Sequence, residues 1–174
     1  MALVRHMDRF SFAVFWLVPL VMTAHNLEEA LFMRVALPEV NVLVAASPVG
    51  FLAPVSHPQL LIALGVVTVI PYLFVALGAL RCGTRLAARL LVLVQTTMLI
   101  NVVFHVGAAL ALRGYAPGLL TALFLNLPFS IWLLHRAMRD KWVTPDVLRY
   151  FGLLALILHG PALVALIYGA GTIG

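Results

Sequence analysis

Charge is scarce in this sequence: only 10% of its 174 residues are Asp, Glu, Lys or Arg, against ~25% in an ordinary soluble domain. That shortage excludes a water-soluble globule, because there is too little polar side chain to coat one. Cysteine is nearly absent. Cys82 stands alone, so no internal disulfide can form. No glycine-rich phosphate loop is visible, which argues against a pyrophosphate-bearing substrate. The small-residue cleavage pattern of a signal peptide is missing after the first apolar run, so that run reads as a retained span.

Apolar side chains take up the difference. They make up 64% of the chain, and the mean hydropathy is +1.11. Several runs reach the ~18–20 residues needed to cross hydrocarbon. The spacing predicts an all-α, polytopic transmembrane bundle of five helices, with spans near 10–33, 59–80, 86–112, 117–134 and 147–168. The whole chain, 1–174, reads as a single membrane-embedded domain. An apolar outer loop is expected over 34–58, because Pro38, Pro48, Pro54 and Pro58 interrupt it. Pro71 and Pro128 are expected to kink the second and fourth spans.

The net charge of +5 and a pI near 10.2 do not point to nucleic acid. The basic residues lie in short connections rather than one patch, so nucleic acid is excluded as a partner and anionic membrane lipids are expected. Arg5, Arg9, Arg81, Arg85, Arg89, Arg136, Arg139, Lys141 and Arg149 fall on one side, and only Arg34 and Arg113 on the other. The positive-inside rule then puts the N-terminus inside and the C-terminus outside, in a membrane expected to be the bacterial cytoplasmic (inner) membrane. Trp142 and Tyr150 suit the inner headgroup belt, Tyr115 and Tyr168 the outer one. The number of copies per assembly stays open, a homo-oligomer included.

Against this apolar background the ionisable residues stand out, since hydrocarbon penalises them by several kcal/mol. His25, Glu28 and Glu29 lie in span 1, Asn101 and His105 in span 3, Asn126 in span 4 and His159 in span 5. At ~1.5 Å rise per residue, His25, His105, Asn126 and His159 sit roughly 10–14 Å below the outer boundary. Glu28 and Glu29 flank His25 by about 60° and 40° on the helical wheel, and Asn101 and His105 are spaced i, i+4, so each set shares a face. The two faces are expected to meet in a dry pocket.

The segments HNLEE at His25–Glu29, NVVFH at Asn101–His105 and YAPG at Tyr115–Gly118 occur in that order. Together they resemble the HXXEE-domain family of small integral membrane proteins. The resemblance implies a multi-span membrane protein and brings no reaction with it.

Three chemistries fit the cluster. The first is a metal site: His25, Glu28, Glu29 and His105, with His159 as a third imidazole, would bind one divalent ion, with zinc foremost and iron or manganese also suited. The carboxylates are too few for the usual di-iron design of about four Glu and two His. With a vacant coordination position such an ion would serve an enzyme acting on a hydrophobic, lipid-like small molecule. The second is metal-free acid–base catalysis by a Glu/His pair, of the isomerase or cyclase type, on an isoprenoid or lipid, with Glu28, Glu29, Asn101 and Tyr115 as the catalytic candidates. The third is ion binding or transport without catalysis, which the few polar groups toward the inner side (Thr68, Gln95, Thr96, Thr97) support weakly.

Overall fold

A computed structural model of the chain describes residues 13–52, 54–80 and 84–172. The expected start of span 1 at Phe10, and Arg5, Arg9, Arg81 and Cys82, lie outside the described residues. The described chain is helical, with no strand among these residues. Five helices follow one another: α1 (Leu17–Ala45), α2 (His57–Leu80), α3 (Thr84–Ala111), α4 (Leu119–Arg139) and α5 (Pro145–Ala170). Helices α2 to α5 are long and apolar enough to cross a membrane, and by that criterion this is a membrane protein. Helix α1 has the length, at 29 residues, but carries Glu28, Glu29, Arg34 and Glu39 along it.

One expectation needs correcting. The outer loop anticipated over 34–58 begins only after Ala45, because α1 runs on through Pro38. Proline removes one N–H and so one hydrogen bond, and the remaining bonds of α1 carry the helix past it. At ~1.5 Å per residue α1 is about 43 Å long, more than the ~30 Å of a hydrocarbon core. The remaining loop is clasped by Asn41, whose side-chain oxygen accepts from Val55 N (3.1 Å) and whose amide donates to Val55 O (2.9 Å). Just beyond it, His57 Nε2 reaches the Ala30 carbonyl (3.2 Å).

Proline leaves a different mark in α4 and α5. A wide π-turn, Ala122–Asn126, precedes Pro128, and another, Leu158–Ala162, contains Pro161. The missing N–H forces the carbonyls upstream to find other donors, and i→i+5 bonding is one solution. In α2, Pro71 lies buried inside the helix.

The bundle divides into an apolar end and a polar end. Val14, Phe15, Val18, Val75, Ala88, Leu91 and Leu133 form one buried cluster, with Trp142 packed against it. It joins Val14, Phe15 and the start of α1 to the end of α2, the start of α3 and the end of α4. Toward the other end, polar bonds tie the helices: Asn26 to Thr68 (2.7 Å) and Thr23 to Tyr72 (2.9 Å) join α1 to α2. Gln95 donates to Ser130 (2.7 Å) across α3 and α4.

Candidate metal centre

The site is built where α1, α3 and the start of α4 meet. Its positioning begins with the turn after α3. Arg113 takes a left-handed conformation (φ 49°) and ends the helix, and Gly114 N bonds back to Ala109 O (3.1 Å). The chain then passes through Tyr115, Ala116 and Pro117 to Gly118, whose φ is +84°. Glycine is required there twice over. An L side chain is strained at that φ, and a Cβ would lie 2.6 Å from His105 Cε1 and 3.0 Å from His25 Cε1. The YAPG turn therefore closes directly onto both imidazoles.

His25 is fully buried. Its Nδ1 meets Thr121 Oγ1 at 2.9 Å, and that hydroxyl in turn donates to Gly118 O (3.3 Å). With its proton committed to Gly118, the hydroxyl accepts from Nδ1–H. The His25 proton is thus fixed on Nδ1, and the Nε2 lone pair points into the cluster. Around Nε2 stand Asn101 Nδ2 at 2.7 Å, His105 Nε2 at 3.1 Å and Glu29 Oε2 at 3.8 Å. Glu29 Oε2 is 3.9 Å from His105 Nε2. The two rings meet edge to face, with centroids 4.8 Å apart.

These three donor atoms form a nearly regular triangle with edges of 3.1, 3.8 and 3.9 Å. A point equidistant from them lies about 2.1 Å from each, which matches zinc–imidazole and zinc–carboxylate bond lengths of ~2.0–2.2 Å. Among the described residues, His25, Glu29 and His105 are the group whose donor atoms converge closely enough for one ion.

The other expected site residues are placed differently. Glu28 points away from the triangle. Its Oε2 accepts from Thr121 N (2.7 Å), and its Oε1 accepts from Leu120 N (3.2 Å) and from the Tyr115 hydroxyl. It therefore satisfies the free N–H groups at the start of α4, where a negative charge is also favoured by the helix dipole. Tyr115 packs edge-on against Phe32 (5.4 Å) in the turn, outside the spans. Desolvation, and then the Glu28 carboxylate beside it, push its hydroxyl up to about 12. It stays a donor across the physiological range. Asn101 lies within the cluster, bonded to His25. His159 is not one of the three converging residues; its ring packs against Phe104 at 4.5 Å. Asn126 is fully buried, has no partner for either amide atom among the described residues, and is not part of the triad.

Thr121 is the residue that sequence reasoning missed. The available signal was a lone hydroxyl in the first turn after YAPG, in an otherwise apolar stretch. A cavity of about 290 Å³ adjoins the cluster, and its lining includes Glu29, Asn101, His105 and His159. Apolar side chains such as Leu60 and Ile167 make up most of the remaining wall.

Comparison with known proteins bears on kinship. The chain is 30% identical over 147 residues to the uncharacterized protein YrkK of Bacillus subtilis (strain 168), covering 83% of this chain and 85% of that one. No solved structure matches it significantly. Residues 16–133 match the family described as protein of unknown function with HXXEE motif, a stretch that contains all three signature segments. The chain belongs to the HXXEE family.

Proposed function

We propose that this is an intramembrane metal-site protein in which His25, Glu29 and His105 hold one divalent ion beside a cavity for a hydrophobic substrate. The observation that carries this reading is the donor triangle, whose centre stands at bonding distance from two imidazole nitrogens and one carboxylate oxygen. Two histidines and a glutamate are the ligand set of several catalytic zinc sites, and they also suit iron or manganese. Three protein ligands leave a coordination position free, and Glu29 and His105 belong to the cavity wall. An ion held there supplies a Lewis acid and lowers the pKa of a bound water.

The chain's own residues do the positioning. Thr121 holds the His25 tautomer that presents Nε2, the arrangement by which outer partners orient metal ligands. Glu28 anchors the start of α4 and, through Tyr115, the turn that carries Gly118 against both rings. Asn101 Nδ2 occupies the His25 lone pair when no ion does; turned over, its amide offers an oxygen donor instead. On the distribution of Lys and Arg, the site belongs in the outer half of the bacterial cytoplasmic membrane, with the N-terminus inside.

The test is metal titration. Protein stripped with a chelator is titrated with Zn²⁺, Mn²⁺ or Fe²⁺, and stoichiometry and thermal midpoint are read. Wild type is expected to take up one ion per chain and to gain stability, whereas Glu29→Gln does neither. Wild-type protein that binds none of the three ions would sink the proposal. A metal-free acid–base reading is favoured by one observation: the cluster is already hydrogen-bonded from Thr121 through His25 to Asn101. In that reading, Glu29 exchanges protons with the substrate directly.

A further inference from the structure

The cavity is not lined evenly. Glu29 and His105 of the triad line it with Asn101 and His159, Asn26 and Thr97 add two further polar side chains, and the rest of its wall is mostly apolar. Apart from its packing against Phe104, His159 takes part in none of the contacts described so far. Among the described residues no group hydrogen-bonds to its ring. Phe104 packs against the ring at a tilt of 58°, with centroids 4.5 Å apart. It sits in the π-turn Leu158–Ala162, whose extra residue per turn and internal Pro161 change the direction in which α5 presents its side chains. Such turns recur at functional sites. An imidazole with hydrogen-bonding capacity left on the wall of an apolar cavity has a defined use, which is to hold a polar atom of whatever enters.

The occupant's size follows from the volume. A cavity of about 290 Å³ is at the small end of ligand pockets (~300–1,000 Å³) and holds roughly ten water-sized groups. Its chemistry follows from the wall: an apolar body, and one polar function able to bond to an imidazole.

We propose that His159 anchors the oxygen of a compact, largely apolar alcohol or carbonyl compound drawn from the bilayer, and holds that oxygen at the open side of the His25–Glu29–His105 triad. The proposal rests on the reading of that triad as the metal site, and assigns His159 to the ligand rather than to the ion. His159 differs in kind from His25 and His105, since its donor atoms lie outside the converging group.

The probe is radiolabelled geraniol, a ten-carbon alcohol, measured by equilibrium dialysis against zinc-loaded protein in nanodiscs, with empty nanodiscs as the blank. Limonene, which has the same carbon count but no oxygen, is the competitor. Wild type is expected to bind geraniol saturably, one per chain, with limonene competing at least ten-fold more weakly than unlabelled geraniol. His159→Phe should weaken geraniol binding at least ten-fold while keeping one zinc per chain, and His159→Gln should recover part of the loss. Saturable binding that His159→Phe leaves unchanged overturns the assignment of His159. Absence of saturable binding to zinc-loaded wild type overturns the ligand class and leaves the metal site standing. Loss of zinc in His159→Phe would make His159 a metal ligand and overturn the proposal from the other side.

Discussion

Gly118→Ala is the substitution whose consequence the geometry specifies most closely. A single methyl group is added, yet it meets two rings at once, at 2.6 Å from His105 Cε1 and 3.0 Å from His25 Cε1. Restoring ordinary carbon–carbon contact near 3.5 Å requires the His105 ring or the turn to move by about 0.9 Å. Neither ring is the loose end of a flexible side chain. Left-handed φ costs alanine roughly 1–2 kcal/mol and overpacking roughly 1–3 kcal/mol, so the change should destabilise by about 2–5 kcal/mol. For a chain of this size that lowers the thermal midpoint by roughly 4–20 °C. The same displacement exceeds the ~0.2 Å tolerance of metal–ligand bonds, so zinc affinity should fall at least ~10-fold. Midpoint and affinity are measured in detergent beside Gly107→Ala. That control lies in α3 with nothing within 4 Å of its added Cβ, and is expected to be neutral or slightly stabilising. A Gly118→Ala protein with wild-type midpoint and wild-type zinc affinity would refute the placement of this turn on the histidines.

Three further outcomes follow from the same contacts. Glu28→Gln should keep its ion, since Glu28 faces the start of α4, but lower the midpoint; Glu29→Gln should lose the ion. Equal metal content in the two variants would contradict the division of labour between neighbouring glutamates. Thr121→Val leaves His25 Nδ1–H buried without its acceptor, at a cost of ~1–3 kcal/mol, and should weaken metal binding ~10–100-fold in competition with a chromophoric chelator. Tyr115, raised from 10.0 to about 12, favours the neutral phenol in the folded chain. Its contribution to stability is therefore complete below pH 10 and is lost as pH climbs toward 12; the tyrosinate absorbance difference between wild type and Tyr115→Phe should show this late titration, and a midpoint near 10 would oppose it.

Much of this was legible in the sequence, for identifiable reasons. Long apolar runs specify helices in hydrocarbon because no other backbone geometry satisfies itself there. His25 and Glu29 are one helical turn apart, as are Asn101 and His105, so each pair could be placed on one face from spacing alone. What spacing cannot supply is the neighbour that a face meets. Glu28 and Glu29 flank His25 almost symmetrically on the wheel, yet one side chain caps α4 and the other joins the imidazoles. That choice depends on the YAPG turn carrying the free N–H groups of Leu120 and Thr121 to Glu28. Asn126 and His159 were expected at the depth of the triad but are not among its converging donors; both lie in π-turns, which shift the phase of a helix. The prolines of residues 34–58 suggested a loop, but Pro38 sits in a helix whose other hydrogen bonds hold it together.

The central claim is that two imidazoles from different helices and one carboxylate share an ion. X-ray absorption at the zinc edge of reconstituted protein tests it directly. The account predicts imidazole ring scattering from two nitrogens at ~2.0–2.1 Å together with oxygen at a similar distance, and loss of one imidazole in each of His25→Ala and His105→Ala. A zinc shell without imidazole scattering, or a spectrum unchanged by either substitution, would contradict it.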